Sequence, residues 1–116
     1  MNQLVNVFKL LSDETRLRII LLLAQQELCV CQLSGILNAS QPKVSKNLSK
    51  LRDLNFVFDE RREKFVFYKL KTDNQILMNT VTNILASLEI YPQLVLDQKK
   101  LTDIEKYLSQ CCPIIE

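Results

Sequence analysis

No histidine occurs among these 116 residues, and glycine occurs once. The first absence removes the commonest side-chain ligand of transition metals and the commonest general base. Any metal site must then rest on sulfur and oxygen, and the chain is a poor candidate for an enzyme built on a His base. The lone Gly35 falls inside a helical pattern, and no repeat, low-complexity tract or linker interrupts the chain. A compact unit with short turns follows. Long apolar runs are also missing: the longest, IILLLA at residues 19–24, is far below the ~20 residues of a membrane span. The opening MNQLVNVFKLLSDETR has no basic start, and Asn6, Lys9 and Ser12 break its apolar positions, unlike a signal peptide. The expectation is a soluble, cytoplasmic protein without membrane contact.

With 47% hydrophobic residues, the chain is long enough for one modest core and too short for two ordinary domains. A single domain over residues 1–116 is expected. Four cysteines without an export signal point to thiols that bind metal or react, not to a disulfide framework. Net charge is only +2, but residues 41–71 carry nine Lys/Arg against four Asp/Glu, leaving the remainder with six against nine. The middle of the chain is the basic part, a footprint suited either to a polyanion or to a solvated lysine face.

Periodicity orders the chain. Leu4, Val7, Phe8 and Leu11 give a first helix over residues 2–11, and Ser12 is positioned to cap a second, with Asp13 and Glu14 in its first turn and Leu17, Ile20, Leu21 and Ala24 inward. Two further helical patterns, VCQLSGIL and QPKVSKNLSKLRDL, are separated by the short polar turn NAS. Ser40 is placed to cap the second, Pro42 is tolerated in its first turn, and Val44, Leu48 and Leu51 form its apolar stripe. Its outward side chains would be Lys43, Ser45, Lys46, Ser49 and Lys50, short polar groups interleaved with cations. A helix-turn-helix over residues 30–54 presents such a face to the major groove, with Ser40, Gln41 and Lys43 nearest the base edges.

The period then changes to two. NFVFDERREKFVFYKL has β-branched and aromatic residues on both sides of a charged segment, a hairpin over residues 56–70 with a basic tip. After a helix-turn-helix such a hairpin is a wing, with Arg61, Arg62 and Lys64 set against phosphates. Its turn has neither glycine nor Asn-Gly. The last third is helical, with Leu77, Val81, Ile84 and Leu88 as one stripe and, after Pro92, Leu94, Leu101, Ile104 and Leu108 as another. So small a unit has little room to bury all of these, so residues 1–11 and 73–110 are expected to pair across a two-fold axis, matching a palindromic operator. The fold class expected is mainly α with a small β-hairpin.

These residues resemble a family. LSDETRLRIILLL, ELCVCQL, SQPKVSKNLSKLRDLNFV and RREKFVFYKL have the order and spacing of the ArsR/SmtB winged-helix transcriptional repressors, and ELCVCQL is similar to the arsenic-sensing branch. The resemblance implies a homodimer that binds double-stranded operator DNA and leaves it when a toxic metal or metalloid ion binds. Four positions depart from the arsenic-sensing pattern: Gln32 stands where Asp is common, Ser34 replaces a third cysteine, Asn47 replaces His on the reading helix, and Glu63 replaces a glycine at the wing tip. The carboxylate and histidine site of zinc-sensing members has no counterpart in a His-free chain.

Cys29 and Cys31 lie two residues apart, which on a regular helix is about 200° of rotation. They converge only if the first is still extended, and helix N-termini favour the thiolate that soft ions require. Binding there would distort the start of the helix-turn-helix. The effector expected is As(III) or Sb(III), with Cd(II) or Pb(II) as alternatives and no cofactor needed for DNA binding. Cys111 and Cys112 either join this site across subunits or form a terminal one. Disulfide or persulfide sensing by the same thiols is a competing reading. A thiol metal carrier that ignores DNA is a remote one.

Overall fold

The computed structural model describes residues 2–103. Cys111 and Cys112, with Ile104 and Leu108 of the last expected stripe, lie outside them. Helices α1 (Asn2–Leu11) and α2 (Glu14–Leu23) are followed by a short strand β1 (Leu28–Cys29), helices α3 (Val30–Leu37) and α4 (Gln41–Asp53), strands β2 (Val57–Arg62) and β3 (Phe65–Leu70), helix α5 (Gln75–Leu85), a 3-10 turn at Leu88–Ile90, and α6 (Pro92–Thr102). The fold is a winged helix-turn-helix, mostly helical with a small antiparallel sheet.

The sheet has three strands in the order β1-β3-β2, not the two of a simple hairpin. Leu28 and Cys29 pair with Tyr68 and Phe67 on β3. No alternating pattern could announce a strand of two residues; its partner across the sheet makes it one. β2 and β3 run in register from Val57–Leu70 to Arg62–Phe65, closed by the two residues Glu63 and Lys64. Glu63 has φ 53°, and the other left-handed residues are Asn38 (φ 54°) and Asn55 (φ 66°). Asn tolerates that region through local hydrogen bonding, whereas Glu adopts it at a steric cost.

Two details differ from expectation. The N-cap of α2 is Asp13, whose carboxylate accepts from the Arg16 N–H at 3.0 Å. Ser12 instead donates its hydroxyl to the Lys9 carbonyl at 2.7 Å, finishing α1, because a carboxylate is the stronger acceptor at a helix start. On α1 the buried residues are Val7 and Leu10, while Leu4 and Val5 are exposed and Phe8 is 57% exposed. The core is built from these two, residues 19–23 of α2, Leu33, Ile36 and Leu37 of α3, Val44, Leu48 and Leu51 of α4, and Leu77, Val81 and Leu101.

Helix α6 docks on α2 and α3 of the same chain. Arg18 of α2 donates to both carboxylate oxygens of the buried Asp97, Nε to Oδ2 and Nη2 to Oδ1, each at 2.8 Å, and Gln93 adds a third donor at 3.1 Å. Lys100 donates to the Ile36 carbonyl on α3 at 3.4 Å. Among the described residues no helix is long and apolar enough to cross a membrane.

Candidate nucleic-acid interface and thiol cleft

The reading helix begins as its sequence dictates. Ser40, extended at φ −66° and ψ 150°, caps α4 by accepting the Lys43 N–H at 3.3 Å, and Pro42 occupies the first turn. Val44, Leu48 and Leu51 are fully buried, which turns Gln41, Lys43, Ser45, Lys46 and Lys50 outward, all exposed, as is Ser40. Asn47 donates its amide to the Lys43 carbonyl at 3.0 Å and so lies along the helix.

Between α4 and the start of α2 runs a groove of about 400 Å3 lined by Asp13, Arg16, Lys43, Lys46, Asn47 and Lys50. Four cations and one carboxylate make it a concavity of positive potential, the environment a phosphate seeks. Arg16 is tied to the end of α1 through the Leu10 carbonyl at 3.3 Å and the Lys9 carbonyl at 3.4 Å. Sequence reasoning missed Arg16, since its helix reads as a structural element and nothing in one dimension brings it to Lys43.

On the wing, Arg61, Arg62 and Lys64 are exposed. Arg62 is bound to two carboxylates. Its guanidinium grips both carboxylate oxygens of Glu27, with Nη2 to Oε1 at 2.8 Å, and reaches Glu60 at 3.3 Å. Lys69 completes the quartet, 2.8 Å from Glu60 and 3.4 Å from Glu27. Arg62 also covers the Phe67 ring, 5.1 Å from its centroid. Hydrogen bonds from Arg62 and then Lys69 hold the Glu60 carboxyl at about 2, and Arg62 chiefly lowers Glu27. Both cations are raised in turn by their carboxylate partners. A phosphate could engage Arg62 only by competing with Glu27 and Glu60.

The thiols straddle the junction between β1 and α3. Cys29 is the N-cap of α3 with extended backbone, φ −95° and ψ 171°, and Cys31 lies in the first helical turn. This is the geometry in which alternate side chains share a face. Both are buried, at 3% and 6% exposure, and free of disulfides. Gln32 is buried beside them and accepts the Cys29 N–H at 3.0 Å. Ser34, where a third cysteine would stand, donates its hydroxyl to the Ala39 carbonyl at 2.5 Å and closes the turn before α4.

Cys29, Val30 and Cys31 line one side of a cleft of about 190 Å3, and Gln41, Lys64, Phe65 and Val66 line the rest. The cleft therefore joins the thiol segment, the first residue of the reading helix and the tip of the wing. Gln41 Nε2 donates to Cys31 Sγ at 3.7 Å. Two buried thiols on one cleft suit a thiophilic ion. Among the described residues no group of three His, Cys, Asp or Glu side chains is placed to hold a metal.

The family model described as bacterial regulatory protein, arsR family, matches residues 13–58. Over 67 residues the chain is 34% identical to the transcriptional repressor SdpR of Bacillus subtilis strain 168, spanning 58% of this chain and 74% of that protein. The chain belongs to the arsR family. It is also similar, at 48% identity over 67 residues and 57% of each chain, to the arsenical resistance operon repressor of Escherichia coli K12. A solved structure, the antimony-specific transcriptional repressor AntR, superposes with a TM-score of 0.66 at 26% identity, covering 79% of this chain and 82% of that one. These relatives are regulators, not enzymes. The chain spans little more than half the length of the curated arsenic regulators that it matches.

Proposed function

We propose that this chain is a metalloid-responsive transcriptional repressor, holding operator DNA as a homodimer and releasing it when As(III) or Sb(III) is bound by Cys29 and Cys31. The observation that carries the reading is the cleft that both buried thiols line together with Gln41 and Lys64, two residues of the proposed DNA surface. The similarity to arsenic-resistance and antimony-specific repressors supports the choice of ion.

DNA is engaged by α4 and the wing. Ser40, Gln41, Lys43 and Ser45 approach the base edges, while Lys46, Lys50, Arg61, Arg62 and Lys64 serve the phosphates. Each thiol proton leaves with a hydroxide of arsenous acid as water, so no oxidation state changes. Because Cys29 caps α3 and pairs with β3, and Cys31 begins the helix, ligation by both alters the junction that sets α3 against the sheet. Coupling of about 1–3 kcal/mol, a 5–150-fold change in affinity, is ordinary for such linked sites. Ser34, held by the Ala39 carbonyl, leaves the third donor to water or to Cys111 and Cys112. The dimer forms through α1 and α5, where Leu4, Val5, Phe8 and Ile76 are exposed.

The test is fluorescence anisotropy of the reduced protein on the promoter fragment beside its own gene, with and without arsenite or cadmium. Release by arsenite, lost in Cys29→Ser and Cys31→Ser while DNA binding persists, supports the reading. Release by cadmium alone keeps the repressor and changes its ion. Release by diamide or polysulfide but by neither ion overturns the metalloid reading in favour of thiol redox sensing, and no DNA binding at low salt would leave a thiol metal carrier.

A further inference from the structure

The thiol cleft and the DNA surface have a side chain in common. Gln41 opens α4, is exposed, and donates its amide to Cys31 Sγ at 3.7 Å. Its backbone has little freedom, because Ser40 caps the helix immediately before it and Pro42 fixes the backbone immediately after it. The side chain is therefore the part that can respond. A thiol sulfur is a weak acceptor, so this contact is one that ligation of the sulfur can replace.

We infer that Gln41 is the coupling residue between the thiols and DNA, its amide positioned by Cys31 when the sulfur is unligated and released when that sulfur is committed to a soft ion. The inference rests on the repressor reading above and deepens it. A bond from Cys31 Sγ to an ion draws on the lone pairs that accept the Gln41 N–H, and the ion takes up volume in the cleft that Gln41 lines. An amide displaced from this position presents a different donor and acceptor pattern where α4 meets the major groove. An effector shifts an equilibrium only through interactions that differ between the two states. The Gln41–Cys31 contact is such an interaction, and it lies within one side chain of the DNA surface.

The experiment uses the full reduced chain and measures two quantities separately: arsenite affinity without DNA, by calorimetry, and DNA affinity with and without arsenite, by anisotropy. Gln41→Leu and Gln41→Ala should bind arsenite within about threefold of the parent protein. Their arsenite-induced loss of DNA affinity, measured against a parental value within the usual 5–150-fold, should fall to a third of it or less. Release by the parental factor in both variants overturns the inference while leaving the repressor reading intact. A parent protein that binds arsenite nowhere, or is not released by it, overturns the repressor reading instead. As a readout independent of DNA, the Gln41 side-chain amide resonances should shift when cadmium or arsenite is added, and should stay in place in Cys31→Ser. Resonances indifferent to an ion shown to occupy Cys31 would overturn the coupling role even if the variants bound DNA too weakly to assay.

Discussion

Gln32 and Glu60 show how neighbouring atoms decide what a side chain does. Gln32 is a buried amide whose oxygen accepts the Cys29 N–H at 3.0 Å, supplying a neutral capping acceptor beside the thiols. Glu60 is an exposed carboxylate in the chain order, but Arg62 and Lys69 flank it in space and hold its carboxyl at about 2. Its folded value lies below the ordinary 4.5, so the quartet's contribution to stability is present above about 4.5 and disappears as the pH falls toward 2. Carboxyl resonances of Glu60 should titrate near 2, and in Arg62→Gln they should move back toward the ordinary range. The sequence showed these charges as an undivided basic tip. Only strand register separates Arg62, which faces Glu27 and Glu60, from Arg61.

At the scale of elements, caps and periodicities decide most of what forms. Ser40 supplies the acceptor for the first turn of α4, so Ser40→Ala should lower stability by about 1 kcal/mol in urea unfolding and weaken DNA binding by loosening the reading helix at its start. The wing turn works against a cost. Glu63 holds φ 53°, a region that disfavours residues with a Cβ by about 1–2 kcal/mol, so Glu63→Gly should stabilise the fold by about 0.5–1 kcal/mol after the greater flexibility of glycine in the unfolded chain. A loss of stability in that variant would mean that the Glu63 side chain matters more than its backbone. The helix-turn-helix and hairpin were legible because their apolar spacing and caps act within a few residues. β1 was not, since a strand of two residues exists only through its pairing with Phe67 and Tyr68.

At the scale of the whole molecule, two surfaces carry opposite lessons. Helix α6 is fastened to α2 of the same chain by Arg18 and Asp97, with Gln93 assisting. Asp97→Ala would leave the Arg18 guanidinium buried without its bidentate partner, and should cost about 3–5 kcal/mol in denaturant unfolding. Since whole domains are stable by about 5–15 kcal/mol, such a variant should melt far below its parent. Helix α1, by contrast, leaves Leu4, Val5 and Phe8 exposed, and Ile76 of α5 lines a recess with Leu4. These exposed apolar side chains are the surface through which the proposed dimer would form. Under the homodimer proposed above, Phe8→Glu should shift the sedimenting species from dimer to monomer and weaken binding to a palindromic operator more than to a half-site.

From the sequence alone came the succession of helices, the capped reading helix with its outward cations, the wing, and the thiol pair at a helix start, because hydrophobic period, capping chemistry and charge are properties of short segments. Tertiary structure decided which distant side chains meet: Gln41 with Cys31, Arg62 with Glu27, Arg18 with Asp97, and Arg16 with the lysines of α4. Periodicity says which face of an element turns inward. It does not say which atoms of a second element wait there, and these polar pairings follow from packing angles and strand register that no single segment encodes.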